Sequence, residues 1–271
     1  MATRASGWHG RGVALRRSSH VPAPVGARGA VRRTVPLAAG AEPRRCSERV
    51  QPGSSGEHTL QCSFGSVDRA NRFYADQVRD RLLPAMIEFV ARMEMVFVAS
   101  SDAHGECDAS LRAGPPGFLQ VVDERTLAYP EYRGNGVHAS LGNISENGHV
   151  GLLMVDFVDD LIGLHVNGAA RIVTDEAFRA AHRGRRVDAV AGPRAERWVV
   201  VDVEEAYIHC RKHIPRMQRV TQRRAWGTDD PRRKGGDYFA AKGTPPSVPR
   251  ARRRFPSTTH LGAGLSSRTL R

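Results

Sequence analysis

Ile162-Gly-Leu-His-Val-Asn-Gly-Ala-Ala-Arg-Ile172 sets Ile162, Leu164, Val166, Gly168, Ala170 and Ile172 at every second position. Successive side chains leave a strand on opposite sides, so this period predicts a long strand with one buried face. Just upstream, His149–Phe157 is a continuous apolar run, the pattern of a strand buried on both faces. Downstream, Trp198–Val203, extending toward Ile208, is a further strand. Farther back, Met95–Ser100 and Glu106–Arg112 flank the turn Asp102-Ala-His-Gly105, and Phe118–Val122 and Thr126–Tyr129 flank Asp123-Glu-Arg125. Both pairs read as hairpins. About seven strands joined mostly by short turns predict an antiparallel barrel or sandwich rather than a doubly wound sheet. A barrel is favoured because closure would leave no exposed edge.

Residues 66–93 change the period. Val78, Leu82, Met86, Val90 and Met93 recur at steps of three or four and share one helical face. Ser66 is the expected N-cap, with Asp68 in the first turn. Pro84 cannot sit inside a continuous helix, so two helices are predicted, the second opened by Pro84. A short helix over about 137–146 buries Val137, Leu141 and Ile144 and ends at Asn147-Gly148, and Asp175–His182 is a further candidate. The fold class is therefore α+β: an antiparallel barrel with helices at its N-terminal side.

The net charge of +13 first suggests a polyanionic partner. Its distribution argues otherwise. Residues 1–56 hold ten arginines against Glu42 and Glu48, residues 243–271 hold six arginines and no acid, and the stretch between them is close to neutral. Both ends are rich in Arg, Ala, Gly, Pro and Ser without apolar period, so residues 1–56 and 243–271 are read as disordered extensions around a 57–242 domain. The first 41 residues lack any acid, which also fits a transit-type leader. Charge on tails alone gives only salt-sensitive, sequence-blind attraction, so a nucleic-acid partner is not expected. No run of about 18 apolar residues occurs, and a soluble, cytoplasmic protein with no membrane partner is expected. Cys46, Cys62, Cys107 and Cys210 lack CxxC spacing and read as reduced thiols.

The chemistry concentrates in Tyr129-Pro-Glu-Tyr-Arg-Gly-Asn-Gly136, which leads into the helix at 137. Gly134 and Gly136 around Asn135 let backbone amides approach a ligand, Arg133 can fork onto phosphate oxygens, and the helix start adds a positive dipole end. Together they form either a phosphate cradle or an ordinary Gly-Asn-Gly turn. Arg112 ends a strand before a Gly/Pro loop and reads as a solvated arginine or as an anion ligand. His209-Cys210-Arg-Lys-His213 puts three metal-capable groups within five residues, but on a strand Cys210 would face away from the two histidines, so no metal site is expected. Lys234-Gly-Gly-Asp-Tyr-Phe239 reads as a C-terminal turn docking its two aromatics on the barrel, or as a flap over a ligand.

Leu111-Arg-Ala-Gly-Pro-Pro-Gly-Phe118, Leu127-Ala-Tyr-Pro-Glu-Tyr-Arg-Gly-Asn-Gly136, Ser140-Leu-Gly-Asn-Ile144, Asn147-Gly-His-Val-Gly-Leu-Leu153, Asp156-Phe157 and Val166-Asn-Gly168 follow one another in an order and spacing that resemble a known family. It is the pyridoxamine 5′-phosphate oxidase-like proteins of the FMN-binding split-barrel superfamily. The resemblance implies an antiparallel split barrel that dimerises and holds FMN between subunits. Carried over by position, it implies that Ser110 and Arg112 lie on the strand flanking the flavin. It further implies that Tyr129, Arg133, Gly134, Asn135 and Gly136 form the strand end and phosphate loop, with Ser140 and Asn143 on the helix behind. The Ser-Arg-Lys cluster of the oxidase proper is reduced here to Arg133, with Val137 and Gly142 where related groups often carry a base. Gly163 and His165 replace polar and basic residues on the long strand, and the pyridoxal-phosphate-specific C-terminal segment is not recognisable. These departures argue against the vitamin as substrate and leave a deazaflavin or haem as alternatives to FMN. The expectation is thus an FMN-dependent oxidoreductase, a homodimer acting on a small molecule, with a non-enzymatic flavin, deazaflavin or haem storage protein as the alternative. No residue stands out as a general base.

Overall fold

The computed structural model describes residues 52–183, 195–220, 230, 233 and 235–243. The tail readings for 1–51 and 244–271 fall outside these residues. Seven strands form one sheet: β1 Met95–Ser101, β2 Cys107–Ala113, β3 Gln120–Asp123, β4 Thr126–Glu131, β5 His149–Val155, β6 Gly163–Thr174 and β7 Arg197–His209. Their order is β2-β1-β5-β6-β7-β4-β3, and every neighbouring pair is antiparallel. The helices are α1 Ser55–Ser63, α2 Val67–Gln77, α3 Pro84–Arg92, α4 Ala139–Glu146 and α5 Asp175–Ala181. Among the described residues, no helix is long and apolar enough to cross a membrane.

The expected seven-stranded antiparallel α+β fold is present, but the ladder does not close. β2 and β3 remain edges, and the sheet is a split barrel. Alternation puts Val96 and Val98 of β1, Leu127 and Tyr129 of β4, Leu152 and Met154 of β5, Val166 of β6 and Val199 and Val201 of β7 into one core. β5 corrects the two-faced expectation: Val150, Leu152 and Met154 are buried, whereas Gly151 and Leu153 are only half-buried. Gly168 sits where β6 and β7 shift register, and a Cβ there would meet the Asp202 carbonyl oxygen at 2.1 Å. Only glycine admits that approach.

The outer face of β4 and β7 carries a second core. Trp198 stacks on Phe178 of α5 at 4.2 Å between ring centroids, and its Nε1–H donates to Asp175 Oδ1 at 2.9 Å. A seven-residue helix is marginal alone, so this packing together with the Thr174 cap holds α5 in place. Pro84 opens α3 at its first turn, as its missing N–H requires. The first helix, α1, has no counterpart in the sequence reading. It buries no residue, so it lacks an apolar period, but its Ser54–Glu57 capping box is complete: the Glu57 N–H donates to Ser54 Oγ and the Ser54 N–H to Glu57 Oε1, each at 3.2 Å.

The C-terminal elements differ from expectation. The strand ends at His209, and Arg211–His213 is a 3₁₀ turn, so strand alternation does not extend to His213. His209 Nδ1 instead pairs with His165 Nε2 at 3.0 Å, and His165 stacks on Tyr207. Tyr238 and Phe239 are 84% and 88% exposed and touch each other, rather than docking on the barrel. Lys234 lies outside the described residues.

Candidate functional site

β2 is an edge strand, and one of its faces borders a gap. Asp108, Ser110 and Arg112 occupy alternate positions and all face that gap. Opposite stand the end of β4, the loop Tyr132–His138 and the first turn of α4. Together they enclose a cleft of about 500 Å³.

Arg112 is half-buried and already paired within the protein. Its Nε–H donates to Glu131 Oε1 at 2.7 Å, and its Nη1–H donates to the Leu111 carbonyl at 3.3 Å. The Glu131 partner is 19 residues away in sequence and arrives from β4. Burial pushes the Glu131 carboxyl above the ordinary glutamate range, and the Arg112 charge and hydrogen bond only partly offset it. Tyr129, two residues back on the same face of β4, is fully buried, and its hydroxyl has no hydrogen-bond partner among the described residues. Burial raises its phenol strongly, with the Glu131 charge adding to the effect.

A second polar group braces α4. Ser140 Oγ donates to Asp108 Oδ2 at 2.8 Å and lies 2.9 Å from Ser110 Oγ. Asn143 Nδ2–H donates to Ser100 Oγ of β1 at 3.1 Å. The loop before the helix turns on Gly136, at φ +82°, where a left-handed backbone suits glycine. Asn135 Oδ1 accepts the Val137 N–H at 3.0 Å, leaving its Nδ2 as the donor for any ligand. His138, also left-handed at φ +55°, is the N-cap and makes no side-chain capping bond. By helix geometry the amides of Ala139, Ser140 and Leu141 lack intrahelical partners, and all three residues line the cleft.

Of the residues expected at the site, Ser110, Arg112, Gly134, Asn135, Gly136 and Ser140 line this one cleft. Arg133 is exposed on its rim between Tyr132 and Gly134. Tyr129 lies in the core and Asn143 braces the helix, so neither lines the cleft. The sequence reading missed Asp108, Glu131 and His138. Strand spacing could have found Asp108, two residues before Ser110, but nothing local pairs it with Ser140.

Residues 82–210 match the family model of pyridoxamine 5′-phosphate oxidase. A search of curated proteins gave no match. A HupZ variant from Group A Streptococcus is 24% identical and aligns over 47% of this chain and 99% of its own, at a TM-score of 0.36. General Stress Protein 26 from Bacillus anthracis is 11% identical over 45% of this chain and 89% of its own, at 0.33. The haem storage protein HutZ from Vibrio cholerae is 16% identical over 48% of this chain and 94% of its own, at 0.30.

Proposed function

We propose that this chain binds FMN in the cleft beside β2 and performs a flavin-linked redox step on a small molecule, as a homodimer. One observation carries the reading: Ser110, Arg112, the 134–136 loop and the uncapped start of α4, far apart in sequence, border a single cleft of about 500 Å³. The volume falls within the range of small-ligand pockets. The groups present fit the ligand. The amides of Ala139, Ser140 and Leu141, with Asn135 Nδ2 and the Arg133 guanidinium at the rim, would hold the phosphate. Arg112 brings direction rather than net charge, because Glu131 neutralises it. Its Nη2, which makes no hydrogen bond among the described residues, would orient the ring. Phe118 supplies apolar wall.

When bound, the flavin supplies the hydride or electron transfer, and the residues around it bind, orient and exclude water. A second copy has a suitable surface on the outer face of the sheet. Leu111, Phe97 and Leu153 lie side by side across β2, β1 and β5, with Phe97 41% and Leu111 53% exposed. Apolar side chains in a contiguous row favour burial against a partner. A visible absorption spectrum of the purified protein, with mass spectrometry of the released ligand, tests the reading. A flavin spectrum and the FMN mass are expected. A Soret band, or a colourless protein that added FMN does not bind, overturns it.

A further inference from the structure

We propose that Asp108, Ser140 and Ser110 form a hydrogen-bond chain of fixed direction. It makes Ser110 an acceptor in the cleft that selects the donating N–H edge of the ligand. The proposal rests on the FMN reading and adds which edge of the ring faces β2.

The direction follows from counting hydrogens. A carboxylate can only accept, and a serine hydroxyl has one hydrogen to give. Ser140 Oγ gives its hydrogen to Asp108 Oδ2 at 2.8 Å. Ser140 is 3% exposed, so water does not compete for it. The 2.9 Å contact between Ser140 and Ser110 must then run from Ser110 to Ser140. Ser110 has thereby spent its only hydrogen, and only its lone pairs are left to face the cleft. The next inward position on the strand, Arg112, offers the opposite polarity through Nη2. One strand face therefore presents an acceptor beside a donor. The imide of an isoalloxazine ring, an N–H between two carbonyls, is the complementary edge: its N–H meets Ser110 and a flanking carbonyl meets Arg112. A ligand edge with only acceptors would face the Ser110 lone pair without a hydrogen.

Ionisation of the imide reads this polarity by its sign. An acceptor at the imide N–H favours the protonated ring, whereas a donor would favour the imide anion. The test is a spectrophotometric pH titration of FMN bound to the wild type, Ser110→Ala and Asp108→Asn. Ser110→Ala is expected to ease imide deprotonation, raising its ionisation constant roughly 2- to 12-fold over the wild-type complex. Asp108→Asn keeps both serines but frees their direction, and should change the constant in the same sense. An unchanged or lowered constant in Ser110→Ala overturns the proposal, as does an unchanged constant in Asp108→Asn. In either case FMN binding itself still stands. A wild type that does not bind FMN removes the cofactor reading first, and this inference with it.

Discussion

Arg112 and Glu131 meet at 2.7 Å across the side of the barrel where no strand pairs with another. β2 is one edge of the sheet, and β4 lies next to the opposite edge, β3. The ion pair is thus a side-chain closure of a ladder the backbone leaves open, and it forms one wall of the cleft. That placement links fold to site: the split that leaves room for a ligand is also what requires a charged brace.

The brace has a pH signature. Glu131 titrates above its ordinary range in the fold, so the fold binds its proton more tightly than the unfolded chain does. Its contribution to stability is complete below the ordinary glutamate pKa and is lost as pH rises through the raised, folded value. Glu131→Gln, which cannot ionise, should therefore gain on the wild type as pH rises across that window. Urea denaturation of both proteins at several pH values checks this. A variant that loses ground to the wild type as pH rises contradicts it.

Asp156 should behave in the opposite sense. Burial would push its carboxyl up, but the amides of Asp159, Val158 and Asp160 and the charge of Arg92 outweigh burial and hold it low. Its contribution is present above the ordinary aspartate pKa and fades as pH falls through the depressed, folded one. Asp156→Ala strands these amides and should cost on the order of 2–3 kcal/mol at neutral pH. The cost should shrink in acid. An equal cost at pH 3 and pH 7 would show that the carboxylate charge is not what holds this loop.

Gly168→Ala tests the register of the two longest strands. With the Asp202 carbonyl 2.1 Å from the added methyl, backbone must shift, and a loss of about 3 kcal/mol or more is expected. A change under about 1 kcal/mol would mean that β6 and β7 pair differently.

These features were legible in the sequence to different degrees, for physical reasons. Strand and helix periods are local, so Leu164, Val166 and Val90 announced their elements, and Pro84 announced a boundary. α1 buries no residue, so it gave no period and only its cap could have revealed it. The Arg112–Glu131 and Asp108–Ser140 contacts join positions 19 and 32 residues apart, and no spacing rule reaches that far. The exposed Tyr238–Phe239 pair shows the reverse error: aromatic residues suggest burial, but these two stay 84% and 88% exposed, ring against ring.

The proposed dimer face makes its own prediction. Phe97→Glu places a charge in the middle of the Leu111–Phe97–Leu153 row, where burial against a second copy would strand it. Sedimentation should show a dimer for the wild type and a monomer for the variant, with the fold intact by circular dichroism. A dimer in both would place the interface on another surface.

Arg133→Ala separates the phosphate from the ring. A charge-assisted hydrogen bond contributes about 1.5–3 kcal/mol, so FMN should bind roughly 10- to 150-fold more weakly. Riboflavin, which lacks the phosphate, should be nearly unaffected. Equal losses for the two ligands would place Arg133 at the ring or ribityl end, and no loss for either would return the 133–136 loop to a simple turn.

The most direct test of the central claim needs no variant. Titrating the wild type with FMN and with riboflavin under one set of conditions isolates the phosphate, the group the loop and the α4 amides are held to bind. FMN should bind at least about 100-fold more tightly than riboflavin, a difference near 2.7 kcal/mol. Equal affinities, or no binding of either, would contradict the cleft as an FMN site.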